Sequence, residues 1–300
     1  AGTIRKEFMT PELEREYTAA LQAALDAGFK LLQDGRPAMD AVRAAVVSLE
    51  NNILFNAGRG SVFASDGSQE MDASLMDGRT LEAGAVCGVK NIANPIELAH
   101  AVMTRSPHVM LFGKGANDFA KHIGMPTMPD EYFFSTLRYE QWLQLRGTDM
   151  AALDHGLPPG DKKFGTVGAV ACDAQGNLAA ATSTGGMTNK QWGRAGDSPI
   201  IGAGTYANNH TCAISCTGHG EMFIRAVAAY DVSCLMEYRR ATLQEAMDTV
   251  VNKKLVKIAG EGGMIGVDAQ GNAAMLFNSE GMYRGMWSSS GERSIGIYKD

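Results

Sequence analysis

The chain has 300 residues, 45% of them apolar, and a formal net charge of −6. That length buries a sizeable core in one large domain or two modest ones, and the acidic balance argues against nucleic acid, which is held by clustered Lys and Arg. Glycine is in excess at 35 residues, against a usual share of about 7%, but no Gly-X-Y period marks a collagen, and no run of about 18 apolar residues marks a membrane span.

In chain order, Thr10 is an N-cap candidate and Pro11 suits the first position of a helix. Apolar residues then recur at Leu21, Leu25, Phe29 and Leu32, up to Gly35. Pro37 opens a second helix with Ala41, Val42, Ala45, Val46 and Leu49 on one face. An Asn- and Gly-rich irregular stretch, 51–60, leads to short strands at 71–76 and 83–89. Helices are expected at 95–103, 116–123 and 137–145, with a strand at 109–112. Residues 147–163, containing Gly156-Leu-Pro-Pro-Gly160, read as a linker.

Beyond it the strand Thr166–Cys172 turns through Asp173-Ala-Gln-Gly-Asn177 into Leu178–Thr182. The same hairpin recurs as Met264–Val267, Asp268-Ala-Gln-Gly-Asn272 and Ala273–Phe277. Between the hairpins come a strand at 211–215 and helices at 221–236 and 243–251. Phe223, Val227 and Tyr230 are expected to face inward. Hairpins and helices together give a mixed, layered fold.

Several chemistries are set aside. Gly202-Ala-Gly204-Thr-Tyr-Ala207 matches a loose dinucleotide fingerprint but is followed by a strand, so it reads as a tight turn. Asp72 and Asp77, beside Gly78, read as loop-shaping residues and not as a glycosidase pair. Cys87, Cys172, Cys212, Cys216 and Cys234 lack a CxxC pair and read as free thiols of a reducing compartment, which places the protein in the cytoplasm.

Four segments form a chemical kit: Gly165-Thr166-Val-Gly168, Thr182-Ser-Thr184-Gly-Gly186, Gly193-Arg194-Ala-Gly-Asp197 and Ser215-Cys-Thr217-Gly-His-Gly-Glu221. Taken singly, each has an ordinary explanation as a strand start, a surface ion pair or a helix cap. A Thr after Gly and a flexible linker can become a chain terminus. Its hydroxyl is a weak nucleophile, but its own α-amine, with a pKa of about 7.7–8.0, is a tethered base. Thr217 and Gly218 precede a helix whose first N–H groups lack partners and can hold an oxyanion. Arg194 offers a fork for a carboxylate and Asp197 a seat for an ammonium, as a zwitterionic amino acid requires.

These ordered motifs resemble the plant-type asparaginase and isoaspartyl peptidase family of N-terminal nucleophile hydrolases. The resemblance covers nearly the whole chain. It implies an α+β fold, a four-layer αββα sandwich in one domain spanning 1–300, cut by itself into 1–165 and 166–300. It implies a dimer of cleaved units acting on L-asparagine and β-aspartyl dipeptides without a catalytic cofactor. By position, Thr166 resembles the nucleophile and Gly165–Thr166 the cleavage site. Thr184 resembles the hydroxyl that supports the nucleophile, and Thr217 with the Gly218 N–H the oxyanion hole. Arg194 resembles the α-carboxylate clamp, Asp197 with the Gly220 carbonyl the α-amine partner, and Asn56 the asparagine near the nucleophile. A structural sodium held by backbone carbonyls maps onto Leu49, Glu50, Asn52, Phe55, Ala57 and Arg59. The chain departs from the family twice. An apolar strand and a His-Gly-Gly-Ala-Gly run are expected first, of which Ala1-Gly2 stand here, and His219 is a local substitution. Two other readings stay open. One is a glycosylasparaginase-like amidase, although such enzymes carry Asp where Gly165 stands. The other is an uncleaved amino-acid-binding relative.

Overall fold

The structure is a computed structural model and describes Ile4 and residues 9–151 and 165–299. Most of the expected linker, residues 152–163, lies outside the described residues.

Helix α1 (Pro11–Gln33) starts as its sequence directs: Pro11 is at its first position and the Thr10 side chain accepts the Leu13 N–H. It pairs with α2 (Ala38–Glu50). Strands β1 (Met71–Asp77) and β2 (Ala83–Val89), helix α3 (Pro95–Arg105), strand β3 (Met110–Phe112) and helices α4 (Gly113–His122), α5 (Asp130–Phe133) and α6 (Thr136–Leu145) follow. After residue 165 come β4 (Val167–Cys172), β5 (Leu178–Thr184), β6 (Thr205–Ala207) and β7 (Cys212–Gly218). Helices α7 (Gly220–Ala226), α8 (Ala228–Arg239) and α9 (Leu243–Asp248) lead into a π-helical turn, Thr249–Leu255. Strands β8 (Gly262–Asp268), β9 (Ala273–Phe277), β10 (Gly281–Trp287) and β11 (Arg293–Tyr298) end the chain.

The strands form a five-stranded sheet in the order β3-β2-β1-β5-β4, a four-stranded sheet β6-β7-β8-β9 and a ribbon β10-β11. The fold is therefore α+β, with helices and antiparallel sheets. Period-two alternation assigns the faces. In the large sheet Ala73, Leu75, Ala179 and Ala181 are buried in one apolar cluster with residues of α1, α2 and α3. In the small sheet Cys212, Ile214, Cys216 and Met264 cluster with residues of α8 and α9. The remaining faces meet each other through Met76, Ala180, Ala207, Ala213 and Val267.

That inner seam also carries a line of small hydroxyls. Thr182 Oγ1 lies 2.7 Å from Ser215 Oγ, Thr205 donates to Thr182 at 2.6 Å, and Ser74 donates to Thr205 at 2.8 Å. Small side chains bring the sheets close: a Cβ added to Gly168 would collide with Ser215 Oγ. The last ribbon packs on α1 through stacked Tyr17–Tyr283 and Phe29–Trp287 rings, each pair 4.2 Å apart. A cavity of about 640 Å³ separates β4 from β10, is lined by Leu25, Phe29, Val170 and Met286, and reaches Thr166. Among the described strands β4 pairs only with β5, and β10 only with β11.

Two segments differ from the sequence expectation. One continuous helix over 221–236 is broken at Val227, whose φ of +48° ends α7 and starts α8. Val227 and Tyr230 consequently face out, at 46% and 38% exposure, while Phe223 is buried. Asp72 lies inside β1, buried, with its carboxylate accepting the Gly88 N–H at 2.8 Å, and is no loop residue.

Candidate active site

The same alternation that separates the core from the seam aligns the candidate residues. Thr166 immediately precedes β4, Thr184 ends β5 and Thr217 stands near the end of β7. All three share phase with residues on the inner faces of the two sheets. The Thr166 hydroxyl donates to Thr184 Oγ1 at 3.2 Å, and the Thr184 hydroxyl donates to the Gly165 carbonyl at 2.8 Å. Gly186 N–H donates to Thr184 Oγ1 at 3.0 Å. A hydroxyl has one proton and two lone pairs, so Thr184 is fully used and its orientation is set. Asn56 supports this turn from behind, donating to the Gly186 carbonyl at 2.7 Å while its Oδ1 accepts the Val62 N–H at 3.0 Å. Its side chain is thus engaged with backbone.

Arg194 and Asp197 lie in the loop between β5 and β6. Asp197 is buried and, among the described residues, its Oδ2 has no hydrogen-bond partner. Burial pushes its pKa up to about 7, against the lowering pull of its own backbone N–H and of Arg194. Arg194 donates from Nε and Nη2 to the two oxygens of Glu221, both at 2.8 Å. Burial opposes ionisation of Glu221, but the Arg194 fork outweighs it and holds the carboxyl below its usual range. Gly220 is packed so closely that an added Cβ would meet Arg194 Nη2 and the Asp197 N–H. Glu221 belongs to this group, although its place in the sequence reads only as an acidic residue in the first turn of a helix. His219 Nε2 lies 3.6 Å from Glu221.

The orientation of the Gly218 N–H follows from the β7–β8 ladder. His219 N–H donates to the Glu261 carbonyl at 2.9 Å, one rung beyond Gly218 opposite Gly262. Bonded and non-bonded pairs alternate along an antiparallel ladder. Gly218–Gly262 is therefore a non-bonded pair, and the Gly218 N–H points away from β8.

The expected cation loop is a tight coil after α2. The carbonyls of Leu49, Asn52, Phe55 and Ala57 each accept one loop N–H, which leaves each a second lone pair. With the carbonyls of Glu50 and Arg59 they would make an all-oxygen donor set, of the kind hard cations take. The Glu50 side chain has a separate role: it is fully buried, accepts from Ser183 at 2.6 Å and from the Ile96 N–H at 3.0 Å, and burial pushes its pKa up to about 8 against those bonds.

All five cysteines are free thiols, and no helix among the described residues is long and apolar enough to cross a membrane.

The family model described as Asparaginase matches residues 1–297. An isoaspartyl peptidase of Escherichia coli K12 is 52% identical over 303 residues, covering all of this chain and 94% of that protein. An isoaspartyl peptidase of Salmonella typhimurium is also 52% identical, with 100% and 96% coverage. An isoaspartyl peptidase/L-asparaginase of Xenopus laevis is 40% identical over 96% of this chain and 91% of its own length. With its motifs ordered as in that family and likeness running over the whole length, the chain belongs to the asparaginase family.

Proposed function

We propose that the protein hydrolyses the side-chain amide of L-asparagine and the isopeptide bond of β-aspartyl dipeptides, using a Thr166 nucleophile freed by self-cleavage. The observation that carries this reading is the relay from the Thr166 hydroxyl to Thr184 and on to the Gly165 carbonyl. Those two hydrogen bonds support the reading, because a nucleophile needs an acceptor for its proton and self-cleavage needs a polarised acyl group nearby.

In self-cleavage, Thr166 Oγ1 attacks the Gly165 carbonyl carbon and the peptide nitrogen leaves, which gives an ester and a free α-amine on Thr166. Water then opens the ester and leaves Gly165 as a carboxylate. In turnover the α-amine takes the Thr166 hydroxyl proton while Oγ1 attacks the substrate's side-chain carbonyl. The Thr217 hydroxyl and Gly218 N–H hold the oxyanion. The α-ammonium returns its proton to the departing ammonia or amino acid, and water releases aspartate from the β-aspartyl ester. Asp197, with its unpartnered oxygen, and the Gly220 carbonyl receive the substrate ammonium, while Arg194 receives the α-carboxylate. Asn56 acts by fixing Gly186 and so the Thr184 hydroxyl.

Layer by layer, helices, sheet, sheet and helices support the αββα sandwich and a single domain. The carbonyls of Leu49, Glu50, Asn52, Phe55, Ala57 and Arg59 would hold a structural sodium, with no step passing through it. Cleaved units pair as dimers in this reading.

Replacing Thr166 with Ala tests the core of it. Wild type should run as two fragments, 1–165 and 166–300, and release ammonia from L-asparagine, whereas Thr166→Ala should stay one chain and release none. An intact wild-type chain that binds aspartate without turnover would instead identify an amino-acid-binding relative.

A further inference from the structure

Asn278, just past β9, belongs to none of the motifs, yet three hydrogen bonds tie it to the backbone behind Gly218 and a fourth ties it to the π-helical turn. Because Gly218–Gly262 is a non-bonded pair, Gly262 turns its own N–H and carbonyl toward β9. There the Asn278 N–H donates to the Gly262 carbonyl at 2.9 Å and Asn278 Oδ1 accepts the Gly262 N–H at 2.8 Å. The side chain thus takes the place that its own carbonyl would hold in a regular ladder. Asn278 Nδ2 donates its two protons to the carbonyls of Gly260, at 2.9 Å, and Val251, at 3.0 Å, the latter in the π-helical turn.

The segment so held, 260–262, is the wall against which Gly218 rests. A Cβ on Gly218 would meet Glu261 O, the Phe223 ring and the Gly262 Cα, and a Cβ on Gly262 would collide with Thr217 O. Both glycines have φ of +154°, a conformation other residues rarely adopt. Neither position has room for a side chain, so the two strands pass close here beside the Phe223 ring. A shift of Gly262 moves the Gly218 amide.

We propose that Asn278 is a positioning residue for the oxyanion hole: by clamping residues 260–262 it aims the Gly218 N–H at the developing charge. This rests on the reading that Thr217 and Gly218 form that hole. Oxyanion stabilisation acts on the transition state, so a misaimed donor lowers kcat and leaves ground-state binding by Arg194 and Asp197 intact.

The test compares Asn278→Ala, Asn278→Asp and Thr217→Val by steady-state kinetics on L-asparagine, with kcat normalised to the cleaved, folded fraction measured by mass spectrometry and circular dichroism. Losing an oxyanion donor outright costs ~10²–10³ in kcat. A misaimed one in Asn278→Ala should cost about tenfold or more, with KM within about twofold. Asn278→Asp keeps the acceptor for Gly262 but sets a carboxylate against two carbonyls, and should show the same kcat-only loss. It decides the matter if the Ala variant does not fold. If Thr217→Val keeps full kcat, the oxyanion assignment itself fails. If Thr217→Val loses kcat but the normalised kcat of the Asn278 variants is that of wild type, or if their KM rises in step with the fall in kcat, Asn278 is merely structural and the proposal is overturned.

Discussion

Asp197 is a buried carboxyl that, in the proposed reading, receives the substrate ammonium. A pKa near 7 against an ordinary 3.8 means that ionising it in the empty site costs on the order of 4 kcal/mol, which an arriving ammonium offsets. With its pKa raised to about 7 by burial, Asp197 without a ligand would have to lose a proton to take up an ammonium at lower pH. Calorimetry with L-aspartate should therefore show affinity weakening about tenfold per pH unit below about 7, with no such slope in Asp197→Asn. The same shift has the opposite sign for stability. Between about pH 4 and 7 the folded protein holds this proton more tightly than the unfolded chain, so this group's contribution falls as pH rises. Glu221 is the second residue of consequence, because its two bonds fix the plane of the Arg194 guanidinium. Glu221→Gln should raise KM about tenfold with kcat nearly unchanged, a loss of about 1.4 kcal/mol in uniform binding. A lower KM would instead show Glu221 competing with substrate for the fork. The sequence singles out Thr166, Arg194 and Asp197 as candidates because their residue types and order suit the proposed chemistry. It could not show Glu221 as a partner, since nothing local separates it from a dipole-compensating first-turn acid. Asn278 was invisible because its partners are backbone carbonyls and one amide, which leave no mark on residue identity.

At the scale of elements, β4–β5 pairing brings Thr166 and Thr184 together, and the close approach of the two sheets sets Thr217 on the same cavity as Thr166. Gly168→Ala should press on Ser215, part β4 from β7 and cost ~1–3 kcal/mol as an overpacked site. Combining it with Ser215→Gly should recover part of that stability. Additive losses, read from urea unfolding, would show that the two positions do not collide. Helices α1 and α2 and the paired hairpins were legible in advance because Pro11, Thr10 and the Asp-Ala-Gln-Gly-Asn turns act locally. The break at Val227 was not. The Ala229 and Tyr230 N–H groups at the start of α8 donate to the carbonyls of Ala203 and Gly202, so a turn far along the chain caps a helix that the local pattern would have continued. In the π-helical turn after α9 the Val251 carbonyl likewise has a distant partner, Asn278.

For the molecule as a whole, a cut after Gly165 would fall between strands that belong to one sheet. β1, from the first fragment, pairs with β5, from the second, through six registered positions from Asp72–Thr184 to Asp77–Ala179. Helix α2 packs on β4 and β5, and the β10-β11 ribbon packs on α1. The fragments should therefore co-elute and lose structure in a single thermal transition. Two resolved transitions would show them to be separable units. The shared β1–β5 ladder also changes the order of the folding reaction. The uncut Thr166→Ala chain closes that ladder within one molecule, so its refolding rate should not depend on concentration. Once cut, the same ladder joins two molecules, and refolding from denaturant should become second order, with a yield that falls on dilution. Cleavage would then make assembly a single-use event, templated by a continuous chain that the mature protein no longer has.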